Sequence, residues 1–134
     1  MAWTEVLLRL SVAALIGAAI GLDRELMHKS AGMRTIGLVS LGAALATMIV
    51  GGSDAAATSR IIQGTLAGIG FLGAGVIVRH QTSVEGLTTA AAIWTAAVLG
   101  AGAGLAAWPT VIIGAVLVLV LLILARFAEA RLMR

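Results

Sequence analysis

Five stretches of the chain are apolar almost without interruption: 6–22, 35–51, 61–78, 87–107 and 109–125. Each approaches or exceeds the ~17 residues that a membrane-crossing helix requires. Most charged residues fall in or near the short breaks. Only Trp108 separates the last two stretches, and Pro109 follows it. Proline suits the first turn of a helix, where its missing N–H is not needed, so a tight helical hairpin is expected there. The pattern predicts an all-α integral membrane fold. It is a compact bundle of five transmembrane helices with glycine-rich packing faces, forming one domain over 1–134.

Loop charge orients the bundle. Five spans place Arg24, Lys29, Arg34, Arg79, Arg126, Arg131 and Arg134 on one side, and Arg9 and Arg60 on or near the other. Lys and Arg accumulate on the cytoplasmic side, so the C-terminus is expected inside and the N-terminus outside. Trp3 and Trp108 then lie together at the outer interface, where amphipathic rings settle. The first stretch is expected to be retained as a span and not cleaved as a signal peptide. Glu5 lies in what would be the basic leader region, and small residues continue through Gly21.

Composition supports the bilayer as solvent. The chain is 60% hydrophobic and 11% charged, where a soluble domain has about 25% charged residues. The net charge of +3 is spread over short loops, without the clustered Lys/Arg face that nucleic-acid binding needs. Membrane-surface charge is its expected use. With no Cys, disulfides and Cys-ligated zinc are excluded.

The chain contains seventeen glycines, and they recur at helical spacing. Gly17 and Gly21, Gly64 and Gly68, and Gly100 and Gly104 are each four apart. Helices in lipid associate through close backbone approach, which small residues permit. Helices one to four are therefore expected to pack tightly, and helix five, with its large aliphatics, to face lipid. In the third stretch, Gly64, Gly68 and Gly75 fall within about 40° of one another on a helical wheel, with Gly70 and Gly73 opposite. That predicts a central helix thinned on two faces. Each helical glycine is less favourable than alanine by about 1 kcal/mol, so an unwound segment lining a cavity stays open as an alternative. Gly68-x-Gly70-x-x-Gly73 also spells a dinucleotide fingerprint. That fingerprint requires a preceding strand and an acidic residue about 20 positions on. Here an apolar run enters and leaves the glycines, and Glu85 follows Gly73 by twelve residues. No nucleotide is expected.

The ionisable residues gather at the inner edge. Asp23, Arg24, Glu25, His28, Lys29, Arg34, Arg79, His80 and Glu85 belong to two neighbouring breaks. A solvated belt accounts for Lys29 and the two histidines. Thr82-x-x-Glu85 fits a capping box for helix four. Asp23, Arg24, Glu25, Arg34 and Glu85 form a candidate functional charge cluster, as ion pairs or as a ligand site. A Mg²⁺ ion keeps most of its waters and takes one or two carboxylates, so a loose site at Asp23, Glu25 and Glu85 is the candidate metal centre. Thr88, Thr89 and Thr95 offer hydroxyls between helices. No carboxylate falls between Glu25 and Asp54 or between Asp54 and Glu85, which argues against a coupled pump. No nucleophile–base pair is identifiable, and no catalytic residue is assigned.

"IGLDRE" at Ile20–Glu25, "AGMRT" at Ala31–Thr35, "GIGFLGAGVI" at Gly68–Ile77 and "GLTTAAAIW" at Gly86–Trp94 resemble, in order and spacing, the motifs of the MgtC/SapB family. The resemblance covers most of the chain through Gly104. It implies a bacterial inner-membrane protein with several spans, linked to magnesium limitation and, in pathogens, to survival inside host cells. It implies action by binding and modulating membrane partners, among them the proton-translocating ATP synthase. The family's motif positions correspond to Asp23, Arg24, Glu25, Gly32, Arg34, Thr35, the glycine run, Gly86, Thr88, Thr89 and Trp94. The family often has Glu where Asp23 stands. Many members add a soluble C-terminal domain, whose functions are not carried over. The expected function is partner modulation, with either a co-purifying membrane partner or a homo-oligomer that depends on Gly64 and Gly68; a Mg²⁺ channel or transporter is the alternative.

Overall fold

A computed structural model describes residues 1–51 and 54–133; Arg134, which the charge count assigned to the inner side, lies outside them. The described residues form helices α1 (Trp3–Leu26), α2 (Met33–Val50), α3 (Ala55–Gly75), α4 (Leu87–Gly104) and α5 (Trp108–Leu132). Two short strands, β1 (Val78–Arg79) and β2 (Val84–Glu85), join α3 to α4 as an antiparallel hairpin. Four helices, α1, α2, α4 and α5, are long and apolar enough to cross a membrane. The protein is a multi-pass membrane protein. The polar residues Thr58, Ser59, Arg60 and Gln63 crowd the first half of α3, which is not among the four.

The core is a three-helix unit of α1, α2 and α4 in which backbones come very close. A Cβ on Gly17 would lie 2.6 Å from the Ser40 Cβ, and one on Gly21 would lie 2.5 Å from the Met33 Cα. A Cβ on Gly100 would collide with the Ser40 carbonyl, and one on Gly104 with the Thr47 hydroxyl. The pairings run in opposite order along α1 and α2 and in the same order along α2 and α4. Thus α2 and α4 are parallel, and α3 returns between their ends. The Thr47 hydroxyl lies 3.0 Å from the Ala44 carbonyl and 3.2 Å from that of Ala101, tying α2 to α4. Arg9 donates to the Gly104 carbonyl at 2.8 Å. This answers one of the C-terminal carbonyls that α4 cannot satisfy itself.

The central helix is α4, not α3. More than half of α4 is buried, against a third or less of α1, α2 and α5. Its Ala92, Ala96, Ala97, Gly100, Ala103 and Gly104 are all buried, and they are small enough to admit neighbours on several sides. The expectation for α3 fails. Among the described residues, a Cβ on Gly64, Gly68, Gly70 or Gly75 would meet nothing within 4 Å, and of the α3 glycines only Gly73 faces a neighbour, Ala90 at 3.6 Å. The helix lies at the edge of the bundle, with Leu66 and Ile69 packed against the core. It stays helical through Gly70 and Gly73. The unwound alternative is therefore not the form adopted.

Most element ends differ from the apolar stretches, with α3 beginning at Ala55 and α5 running on to Leu132, and three further shifts bear on the site. Val76–Val78 leave the third helix for the hairpin. The fourth helix stops at Gly104, and the chain turns through Ala106 at φ 57° before α5. The first helix continues past Leu22 to Leu26, which carries Asp23, Arg24 and Glu25 on helical backbone. Pro109 stands in the first turn of α5 as expected. That helix buries only Val111, Ala115 and Leu122, leaving Leu117, Leu121 and Leu124 exposed.

Candidate functional site

The end of the bundle where α1 and α5 finish and α4 begins carries most of the predicted charge cluster. Asp23 and Arg24 are 7% and 5% exposed. Arg24 donates from Nε and Nη2 to Asp23 Oδ2 at 3.0 and 2.6 Å. Adjacent residues on a helix do not face one another. The Asp23–Arg24 contact therefore needs the guanidinium to fold back along its own helix. Arg126 of α5 brings Nη1 to 3.8 Å from Asp23 Oδ1, which has no hydrogen bond among the described residues. A buried carboxylate is retained when a cation offsets its desolvation; here two arginines flank one aspartate.

The other acids stand apart. Glu25 points to the start of α2, where it accepts the Met33 N–H at 3.3 Å. A Cβ on Gly32 would press on the Glu25 side chain at 3.2 Å, so Gly32 leaves room for this cap. Glu85 lies on β2, 73% exposed, with His80 Nε2 at 3.9 Å. Arg34 is exposed on the first turn of α2 and makes no ion pair among the described residues. The Asp23–Glu25–Glu85 metal centre is therefore not assembled. No group of three His, Cys, Asp or Glu side chains able to hold a metal ion forms among the described residues. The three carboxylates serve an ion pair, a helix cap and an exposed strand, and they do not fit a Mg²⁺ ion.

The Thr82–Glu85 capping box is also absent. Val84 and Glu85 are strand, and α4 begins after Gly86 with no side-chain cap. Gly86 adopts φ 87°, and a Cβ there would collide with the Val76 carbonyl. Both facts require glycine: a left-handed backbone strains other residues, and the chain passes too close for a side chain. Thr88 is exposed and Thr89 is 1% exposed. Thr95 donates back to the Ala91 carbonyl within α4 at 2.7 Å and bridges no helices among the described residues. Trp94 is 46% exposed on the outer face of α4.

These elements enclose a basin of about 810 Å³, lined among others by Arg24, Lys29, Glu85, Thr88, Thr89 and Arg126. Sequence reasoning missed Arg126 as a partner of Asp23, along with the helix-joining roles of Thr47 and Arg9. Arg126 carried a signal in ending the fifth span on the same side as Asp23. Its approach to that carboxylate depends on how α5 packs.

The MgtC family model matches residues 10–131. The chain is 44% identical to Protein SrpB of Synechococcus elongatus, with 84% of this chain and 70% of that protein covered. It is 38% identical to Protein MgtC of Salmonella typhimurium, covering 93% of this chain and 54% of the relative. It is 43% identical to Protein MgtC of Brucella abortus, covering 72% and 42%. The chain thus spans about half the length of the MgtC proteins it resembles. No solved structure matches.

Proposed function

The chain belongs to the MgtC family, and on that premise we propose that it is a non-enzymatic regulator of the bacterial inner membrane. It works in magnesium homeostasis by binding and modulating membrane partners such as the proton-translocating ATP synthase. The observation that carries this reading is the open glycine face of α3. A Cβ on Gly64, Gly68 or Gly75 would meet nothing within 4 Å among the described residues, and Phe71 beside them is 81% exposed. In lipid such a face lets another helix approach closely, either from a partner protein or from a second copy of this chain.

The proposed topology has five crossings, with the N-terminus outside and the C-terminus inside. Its support is geometric. Since α2 and α4 run parallel, the chain must return between them, and the 21 residues of α3 extend about 31 Å, close to the ~30 Å hydrocarbon core. Arg60, six positions into α3, is near enough to its end to reach the interface.

ATP-driven proton pumping in inverted membrane vesicles tests the function. The full chain is expected to lower pumping, and Gly68→Leu to restore it while the fold persists. Normal pumping with the unsubstituted chain present would remove this reading. Magnesium flux into proteoliposomes separates the alternative. Vesicles with and without the protein are expected to take up the ion equally, whereas protein-dependent uptake would favour a channel or transporter.

A further inference from the structure

We propose that the basin at the inner end of the bundle binds a phosphate-type anion, independently of any partner at α3. The floor of the basin presents hydrogen-bond donors. The α4 amides of Leu87, Thr88 and Thr89 precede the first intrahelical bond, made by Ala90 N–H to the Gly86 carbonyl at 2.8 Å. They have no acceptor among the described residues, and no side chain caps them. A helix start of this kind attracts anions through its free N–H groups and the helix dipole.

Two buried side chains point to a ligand independently of the helix start. Thr89 is 1% exposed and lines the basin, yet its hydroxyl makes no hydrogen bond among the described residues. Arg24, 5% exposed, also lines the basin. Its Nε and Nη2 are committed to Asp23, which leaves Nη1 without a partner among the described residues. Arg126 and Lys29 add positive charge at the wall. The acids in the wall are Glu85 and Glu129, both exposed and therefore screened by solvent. Asp23 sits behind Arg24 and holds it. A floor of amides, a hydroxyl and a guanidinium offers an oxyanion several donors. Guanidinium in particular matches the geometry of phosphate oxygens.

The ligand is either free phosphate or the phosphate of an anionic lipid headgroup, since the basin lies at the end of the membrane-spanning helices. Amide NMR of the full chain distinguishes them. One arm titrates inorganic phosphate into protein in neutral detergent. The other compares phosphatidylcholine nanodiscs with and without phosphatidylglycerol. Saturable shifts of the Leu87–Thr89 amides are expected in at least one arm, and the arm identifies the source. Thr89→Val and Arg126→Gln should each weaken binding by about tenfold or more. Thr89→Ser and Arg126→Lys should keep it within about threefold, which guards against a merely misfolded variant. Arg60→Gln, at the far end of α3, should leave it unchanged. Absence of shifts in both arms would overturn the proposal, as would equal affinity in Thr89→Val and Arg126→Gln, or an equal loss in Arg60→Gln.

Discussion

The α1–α2–α4 unit and α3 carry the same local pattern, glycines four residues apart in apolar helices, yet they use it in opposite ways. In the unit, Gly17, Gly21, Gly100 and Gly104 sit where a methyl group would collide with backbone or side-chain atoms of the next helix. In α3, Gly64 and Gly68 face open space. Spacing therefore reports a capacity for close approach. Which capacity is met within the chain depends on where each helix lies. The unmet one, on α3, is the surface left for another molecule.

Four substitutions probe this contrast, beginning with the largest effect. Gly100→Leu inserts a side chain into the Ser40 backbone of the parallel helix and should abolish recovery of folded protein, a loss beyond about 4 kcal/mol. Folded, monodisperse protein in neutral detergent would refute the close α2–α4 approach. Next, Arg24→Met leaves Asp23 buried with only Arg126 nearby. Removing one partner of a buried pair typically destabilises by about 3–5 kcal/mol, measurable by denaturant titration in micelles. An unchanged midpoint would mean that Arg126 alone suffices.

The third substitution has the opposite sign. Gly64→Ala in α3 adds a methyl group in open space and should stabilise the isolated chain by up to about 1 kcal/mol. A loss of stability in the monomer would mean that this face is packed after all. The smallest effect belongs to Thr47→Val, which removes the hydroxyl between α2 and α4 while keeping its shape. Hydrogen bonds between membrane helices average about 0.6 kcal/mol, so the thermal midpoint should fall only slightly. A large drop would make this hydroxyl, and not the small-residue contact, the main tie between the two helices.

The helical regions were readable because length and hydropathy alone specify helices in lipid, where every backbone group must be satisfied within the segment. Segment four shows the limit: its apolar run extends to Ala107, but the helix stops at Gly104 because the turn into α5 needs Ala106 at φ 57°. The hairpin from Val78 to Glu85 was not readable, since two-residue strands leave no alternation to detect. It also displaced the capping box expected at Thr82. In the charge cluster, the neighbourhood of Asp23 and Arg24 was legible from their place at a helix end. That Glu25 would turn to the Met33 amide was not, because residues eight apart meet only when the intervening chain doubles back.

By itself, the sequence determined the solvent. So little charge and so many long apolar runs make a membrane bundle the economical outcome, and Lys29 with most of the arginines marks one end of it. Only the tertiary structure decided which glycines meet a neighbour, which helix is central and which carboxylate is buried. Each depends on relative placement of helices, and in lipid that placement follows from shape complementarity between whole faces. A pattern four residues long cannot encode such a face, because its partner lies elsewhere in the chain or in another molecule.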